Sequence, residues 1–167
     1  MSVIAAMVYP EKIVMAADSI MVKDWSKSTS GDFSKINEDN GMIIGGCGSA
    51  QELSLMWHYM ATHKPSASTC KGVLDFVVEF SRWKRELTGN GNIENTYLLA
   101  YAGHLFEIED MFVFEVQKYR AIGAGMDFSN AALYLGHTPE EAVRVACDLS
   151  CMVADPIVTH TMEKQSF

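Results

Sequence analysis

Ser2, Asp18 and Lys35 are the residues that could build a nucleophilic site, because they supply a hydroxyl, a carboxylate and an ammonium group. A serine that begins a chain can act as a nucleophile without a histidine, since its own α-amine, with a reference pKa of about 8, can accept the hydroxyl proton. Met1 precedes Ser2, and a small second residue is the type from which the initiator methionine is normally trimmed. We therefore expect removal of Met1 to make Ser2 the first residue.

Such a nucleophile also needs a nearby positive charge, which lowers the pKa of the hydroxyl and of the amine. Lys35 can supply this charge, and Asp18 can hold the lysine in place. The oxyanion that develops during the reaction needs a backbone N–H donor. Gly48 meets this need, because it lies at a predicted strand-to-helix junction, where the helix dipole favours negative charge.

The opening of the chain is predicted to place Ser2 and Asp18 side by side. Residues 2–8 and 13–19 are apolar almost throughout and flank a turn at residues 9–12. Continuous apolar runs of this length are typical of central strands that are buried on both faces. A strand followed by a tight turn brings its outer ends together, so the hydroxyl and the carboxylate should be neighbours.

Further along the chain, blocks of strands are predicted to alternate with pairs of helices. Ser49 and Thr138 are predicted helix caps, with Glu52 and Glu141 as their capping-box partners. Residues 23–32 read as a polar loop. The predicted strands are 33–36, 41–48, 97–101, 105–108, 111–115, 119–123 and 157–162, and the predicted helices run from 49 to near 63–65, and over 67–87, 126–135 and 139–151. This order predicts one α/β (α+β) domain over residues 1–167, a sandwich with a helix pair on each outer face.

The composition argues against several classes of partner. The chain has 167 residues, of which 49% are apolar, and its formal net charge is −8. Neither nucleic acid nor an anionic membrane surface is expected as a partner, because binding phosphate groups needs clustered lysine and arginine. No apolar stretch reaches the roughly 18 residues that cross a bilayer. Cys147 and Cys151 lie one helical turn apart, but no second Cys or His pair has the spacing of a zinc site. We expect a soluble, intracellular protein.

Together these motifs resemble one known family. The residues that carry the resemblance are Ser2 with Asp18, Lys35 before Ile36, the run Gly48-Ser49-Ala50, residues 121–125 before a helix, and Asp148 with Cys151. In this order, over nearly the whole chain, they are similar to the proteasome β-subunit family, and to its bacterial HslV branch in particular. The resemblance implies the four-layer αββα fold of N-terminal nucleophile hydrolases, with two mostly antiparallel central sheets. It also implies a cytoplasmic peptidase that assembles into homo-oligomeric rings, with stacked rings and an ATP-dependent unfoldase left open.

The resemblance also assigns a role to each candidate residue. Ser2 would be the nucleophile and its amine the base, with Lys35 tuning both and Asp18 orienting the lysine. The Gly48 N–H would bind the oxyanion, and Asp148 would support the amine end of the site. The substrate side chain, from a peptide or an unfolded protein, would bind where a glycine leaves space, near Met21, Gly46 and Ala50. No cofactor is implied, and a structural monovalent or divalent cation near Asp148 and Cys151 is left open.

Three positions differ from the family pattern. Ser2 stands where threonine is usual, and Ala124 and Cys151 stand where serines usually support the site. Loss of the serine at Ala124 favours an alternative, in which the chain keeps the fold as an inactive, ring-forming assembly subunit. A third hypothesis, an amidase for small substrates, shares the nucleophile and ranks last, because larger relatives of that kind carry more chain for a substrate pocket.

Overall fold

The computed structural model describes residues 1–23, 26–28 and 33–164. The helices of this part are α1 (Ala50–Met60), α2 (Cys70–Thr88), α3 (Met126–Tyr134) and α4 (Pro139–Leu149). Its strands are β1 (Val3–Val8), β2 (Lys12–Ala17), β3 (Met21–Lys23), β4 (Ser26–Ser28), β5 (Ile36–Asp39), β6 (Met42–Cys47), β7 (Thr96–Tyr101), β8 (His104–Glu109), β9 (Phe112–Glu115), β10 (Tyr119–Gly123) and β11 (Val158–Glu163).

Two antiparallel sheets form the centre of the molecule. One has four strands in the order β10-β1-β2-β11, and the other has five in the order β5-β6-β7-β8-β9. Every pair of neighbours within them is antiparallel. The opening hairpin therefore lies in the middle of the first sheet, with β10 on one side and β11 on the other.

The two faces of β1 explain why the opening of the chain is apolar throughout. Val3 and Ala5 pack against helices α3 and α4, whereas Ile4 and Ala6 point into the space between the two sheets. All four of these side chains are fully buried. A third apolar cluster packs α1 and α2 against the outer face of the second sheet. The layers follow the order helices, sheet, sheet, helices, which confirms the predicted αββα sandwich.

Several predicted boundaries move by a few residues. The predicted strand 33–36 is wrong for its first three residues, because β5 begins at Ile36. There the Ser34 hydroxyl accepts a hydrogen bond from the Ile36 N–H at 3.2 Å, a local turn that delays the ladder. The predicted loop 23–32 includes one short exposed strand, β4, while its residues 24–25 and 29–32 lie outside the described part.

Of the two predicted capping boxes, the one at the start of α4 is confirmed and the one at the start of α1 is only half formed. Thr138 and Glu141 form the complete capping box at the start of α4. Ser49 caps α1 by accepting from the Glu52 N–H, but the Glu52 carboxylate does not bond back to the cap. It turns inward to Lys84 instead. Within the described residues, each helix is too short or too polar to span a lipid bilayer.

Candidate active site

The outer end of the opening hairpin brings three of the predicted residues together. Ser2 is 6% exposed, Asp18 is 0% exposed and Lys35 is 4% exposed, so all three polar groups are buried. Asp18 continues β2 beyond its last ladder residue, and its N–H donates to the Val3 carbonyl at 3.2 Å. Lys35 reaches the same point from the turn before β5.

The Asp18 carboxylate is saturated with hydrogen bonds. Its Oδ1 accepts from the Val3 N–H at 2.8 Å, and its Oδ2 accepts from the N–H groups of Ile20 and Ala154 at 3.2 and 3.4 Å. Lys35 Nζ donates to both oxygens, at 2.8 and 2.9 Å. A buried carboxylate with this many donors is held in one orientation and can fix the lysine beside it.

Lys35 and Ser2 converge on one atom, the carbonyl oxygen of Met1. Lys35 Nζ donates to this oxygen at 3.1 Å, and Ser2 Oγ donates to it at 2.6 Å. Burial lowers the pKa of Lys35 below its usual range, and the neighbouring Asp18 carboxylate opposes part of this effect. The ammonium therefore lies next to the peptide bond that joins Met1 to Ser2.

The backbone of Ser2 is held by the glycine-rich segment at the end of β10. The Gly125 N–H donates to the Ser2 carbonyl at 3.3 Å. Gly123 has φ +92, and a Cβ at this position would overlap the same carbonyl. Only glycine permits so close an approach with this backbone conformation. Ala124, between the two glycines, is exposed and brings no hydroxyl to the site.

Gly48 lies at the junction between β6 and α1, as predicted. The Gly46 N–H donates to the Lys35 carbonyl at 3.1 Å, which fastens this junction to the lysine segment. Gly48 has φ +133, and a Cβ there would overlap Oδ1 of Asn95. Its backbone lies at the start of a helix, where a negative charge is favoured.

The three residues of the predicted substrate pocket differ in burial, since Gly46 is buried and the other two are exposed. The space beside Gly46 is filled, because a Cβ there would lie 2.7 Å from Cδ1 of Tyr97 and would also overlap Leu53. On this side the glycine lets Leu53 of α1 and Tyr97 of β7 pack closely, and its contact with substrate stays a prediction. Met21 and Ala50 are exposed, and their contact with substrate stays a prediction.

Asp148 is not brought into contact with Ser2 by any hydrogen bond or ion pair of the described residues. It lies exposed in the last turn of α4, while its neighbour Cys147 is half-buried and packs inward. Cys151 is exposed as well. The described residues contain no group of three or more His, Cys, Asp or Glu side chains that could hold a metal ion. The role of Asp148 and the cation near Cys151 both stay predictions.

Two thiols lie near the site, and neither is poised to react. Cys47 is adjacent to Gly48, and burial raises the pKa of its thiol to about 11. Burial also raises the pKa of Cys147 to about 12, with the Asp18 charge acting in the same direction. A thiol is nucleophilic only as its thiolate. Both thiols are therefore protonated at neutral pH.

A second buried polar cluster surrounds the start of α1, and the sequence did not reveal its role. Glu52 accepts from Lys84 Nζ at 2.5 Å and from the Tyr97 hydroxyl at 2.9 Å. It also accepts from the Asn95 N–H at 3.0 Å. The spacing offered one signal, since Glu52 and Lys84 both fall on the apolar faces of their helices. We call these four residues, Glu52, Lys84, Asn95 and Tyr97, the α1 clamp.

Comparison with known proteins places the fold. The sequence matches no protein-family model and no curated protein. Among solved structures, Thiobacillus denitrificans BPH in complex with epoxomicin aligns with a TM-score of 0.82 at 17% identity, covering 98% of this chain and 100% of that one. HslV from Trypanosoma brucei aligns with a TM-score of 0.69 at 20% identity, covering 96% and 99%. Anbu, the ancestral β-subunit from Yersinia bercovieri, gives 0.69 at 15% identity, covering 95% and 80%.

These alignments span almost the whole of this chain. The fold is therefore that of the N-terminal nucleophile hydrolases of the proteasome β-subunit and HslV type, which confirms the fold that the sequence resemblance implies.

Proposed function

We propose that the chain is a cytoplasmic, self-compartmentalising peptidase whose nucleophile is Ser2 once Met1 has been removed. One observation carries this proposal. The hydroxyl of Ser2 and the ammonium of Lys35 meet at the carbonyl oxygen of Met1, at 2.6 and 3.1 Å, with the lysine fixed by the buried Asp18 carboxylate. A lone serine at the end of a strand would need neither the buried lysine nor the buried carboxylate, which are costly to desolvate.

In the proposed reaction the α-amine of Ser2 takes the proton of its own hydroxyl. Oγ then attacks the carbonyl carbon of the scissile peptide bond, and the Gly48 N–H binds the oxyanion that forms. The protonated α-amine of Ser2 gives its proton to the leaving amine as the C–N bond breaks, which leaves an ester on Ser2. Water then attacks the ester carbon while the same amine takes its proton. As the bond between this carbon and Oγ breaks, the amine passes the proton to Oγ, which releases the acid product and restores the site. Lys35 favours the uncharged amine through its own positive charge.

Intact mass is the first test, because loss of one methionine makes the amine of Ser2 available. Peptide hydrolysis by the Met1-free protein should then disappear in Ser2→Ala and persist in Ser2→Thr, which keeps the hydroxyl. Epoxomicin, which is bound to BPH in the solved complex, is a suitable probe. We expect one adduct per chain on Ser2 and none on Ser2→Ala. Hydrolysis that survives Ser2→Ala in purified protein would overturn the proposal.

We further propose that copies of the chain assemble into a homo-oligomeric ring. Support comes from large apolar side chains exposed near α3 and α4. Tyr134 is 77% exposed, Leu135 is 75% exposed and Leu149 is 64% exposed. Tyr134 and Leu135 are adjacent, and neighbouring exposed apolar side chains favour an interaction surface over free solvent. Native mass measured over a range of concentrations tests the assembly, and a monomer at every concentration contradicts it.

The alternative is a non-catalytic subunit that keeps the fold and the assembly. It is favoured by Ala124, which leaves the segment that contacts the Ser2 carbonyl without a hydroxyl. Its expected signature is an oligomer that retains Met1, hydrolyses no member of a broad peptide library and takes up no epoxomicin. Stoichiometric labelling of Ser2 rules this alternative out.

A further inference from the structure

We propose that Asn95 is the positioning residue that orients the backbone amide of Gly48, an inference that rests on the proposed function of that amide. Asn95 is 1% exposed. Its Nδ2 donates to the Ser49 carbonyl at 2.9 Å, and its Oδ1 accepts from the Ser49 N–H at 2.5 Å. One side chain thus bonds both backbone groups of the residue that directly follows Gly48.

The contact with Gly48 itself is equally close. A Cβ on Gly48 would overlap Oδ1 of Asn95, so the amide side chain packs against the bare Cα of the glycine. The Ser49 N–H belongs to the same rigid peptide plane as the Gly48 carbonyl. Fixing that plane, while the side chain blocks the space beside Cα, restricts rotation about the Gly48 backbone. Its N–H is then held in one direction before any substrate arrives, as an oxyanion donor requires.

The rest of the α1 clamp holds Asn95 in place. The Asn95 N–H donates to Glu52 Oε1 at 3.0 Å, and Glu52 is 1% exposed in the first turn of α1. Lys84, on α2, balances the charge of Glu52. Its Nζ donates to Glu52 Oε2 at 2.5 Å and to the Asn92 carbonyl at 2.5 Å. A buried ion pair is weak evidence for stability but can fix geometry. Here it ties two helices and the segment before β7 to one point, the start of α1.

The kinetic test compares Asn95→Ala with Ser129→Ala. Ser129 also loses a buried hydrogen bond, 2.9 Å to the Ala142 carbonyl, but it lies between α3 and α4. We expect Asn95→Ala to lower kcat by roughly tenfold or more while KM changes little, short of the 10²–10³ that losing a donor outright costs. Ser129→Ala should keep kcat near the wild-type value at a temperature where both variants are folded. An unchanged kcat in folded Asn95→Ala overturns the inference.

Asn95→Asp gives a second measurement, the pH dependence of kcat, which would not change if Asn95 had a purely structural role. A protonated carboxyl can donate to the Ser49 carbonyl and accept from its N–H, as the amide does, whereas a carboxylate can only accept. The ratio of variant to wild-type kcat should therefore rise as the pH is lowered through the pKa of the new carboxyl. A ratio that stays constant across pH contradicts the proposed bonding.

A measurement without turnover separates this inference from the proposed function. Amide hydrogen exchange at Gly48, read from overlapping peptides, should accelerate in Asn95→Ala and not in Ser129→Ala. If wild-type protein neither hydrolyses peptides nor binds epoxomicin, the proposed function fails, and exchange at Gly48 still decides whether Asn95 holds this amide. Equal exchange at Gly48 in wild type and Asn95→Ala overturns the inference whatever the activity.

Discussion

Lys35 Nζ lies 2.8 Å from one carboxylate oxygen of Asp18 and 2.9 Å from the other, so a single ammonium is shared by both oxygens of a fully buried carboxylate. The third contact of the ammonium is the Met1 carbonyl. Three backbone N–H groups occupy the remaining acceptor capacity of the carboxylate. The ion pair is therefore held rigidly at the end of the hairpin. Its removal should affect the free energy of unfolding and the peptidase activity in different ways.

Breaking the pair from one side should destabilise the protein strongly. Lys35→Met leaves the Asp18 carboxylate buried without its counter-charge, which typically costs about 3–5 kcal/mol. The double variant Lys35→Met with Asp18→Asn should recover part of this loss, since no buried charge is left unpaired. Both should lack peptidase activity. Urea unfolding and peptide hydrolysis, measured on the same preparations, check the two effects separately.

The exposed pair Lys71 and Asp75 provides the matched control. Its atoms also lie 2.8 Å apart, but the side chains are 86% and 54% exposed. Lys71→Met should change the free energy of unfolding far less than Lys35→Met does, because solvent screens an exposed pair, and it should leave activity unchanged. If Lys35→Met proves no more destabilising than Lys71→Met, the pair is not buried as described.

Gly48→Ala should impair both stability and activity. The φ of +133 is unfavourable for any side chain, and the new Cβ would overlap Asn95; strain of this kind costs of order 1–3 kcal/mol. Hydrolysis should fall by more than tenfold, because the amide that receives the oxyanion is displaced. Thermal unfolding and kcat are the measurements.

Gly89→Ala separates backbone strain from the clash. Gly89 has φ +77 and nothing within 4 Å of the added Cβ, so only the left-handed conformation is penalised, by roughly 1–2 kcal/mol. It caps the end of α2. We expect normal kcat in this variant. Equal losses of stability and activity at both glycines would contradict the assigned role of Gly48.

The sequence predicted the parts of the site that follow from local order. The placement of Asp18 beside Val3, the residue after Ser2, follows from a hairpin whose register is set by its turn, and Gly48 follows from a capped helix. Glu52 was misassigned, because the capping-box pattern depends on neighbours in sequence, whereas its actual partner, Lys84, is 32 residues away. Glu52 and Lys84 carry opposite charges on the apolar faces of successive helices, a pattern that favours a buried ion pair. Which two charges pair depends on how α1 packs against α2, and the local sequence does not determine that packing.

Gly46→Ala tests whether Gly46 serves core packing or the predicted substrate contact. The new Cβ would overlap Leu53 and lie 2.7 Å from the Tyr97 ring, so overpacking should destabilise the protein by about 1–3 kcal/mol. The preference among peptide substrates should stay the same, because the methyl group points into the core. A changed preference with unchanged stability would instead support a contact between Gly46 and substrate. The sequence alone does not distinguish these two roles, because a glycine that leaves space for a ligand and one that leaves space for a neighbouring ring occur in the same pattern.

Glu52 should make stability depend on pH in the acid range. Burial alone would raise the pKa of this carboxyl, but hydrogen bonds from Lys84, two backbone N–H groups and Tyr97 outweigh it, and the pKa lies below its ordinary value of 4.5. The folded state therefore binds the proton less readily than the unfolded state. Its contribution is fully present above pH 4.5 and is lost as the pH falls through the folded pKa.

Glu52→Gln removes this dependence while keeping the shape of the side chain. The difference in unfolding free energy between wild type and the variant should be largest at neutral pH and should shrink in acid, leaving a constant offset from the unpaired Lys84. Glu141 is the matched control, because hydrogen bonds from Thr138 also lower its pKa but its side chain is exposed. Glu141→Gln should give a smaller change over the same range. Urea titrations between neutral and acid pH measure both, and a difference for Glu52→Gln that does not vary with pH would show that the α1 clamp holds no ionised carboxylate.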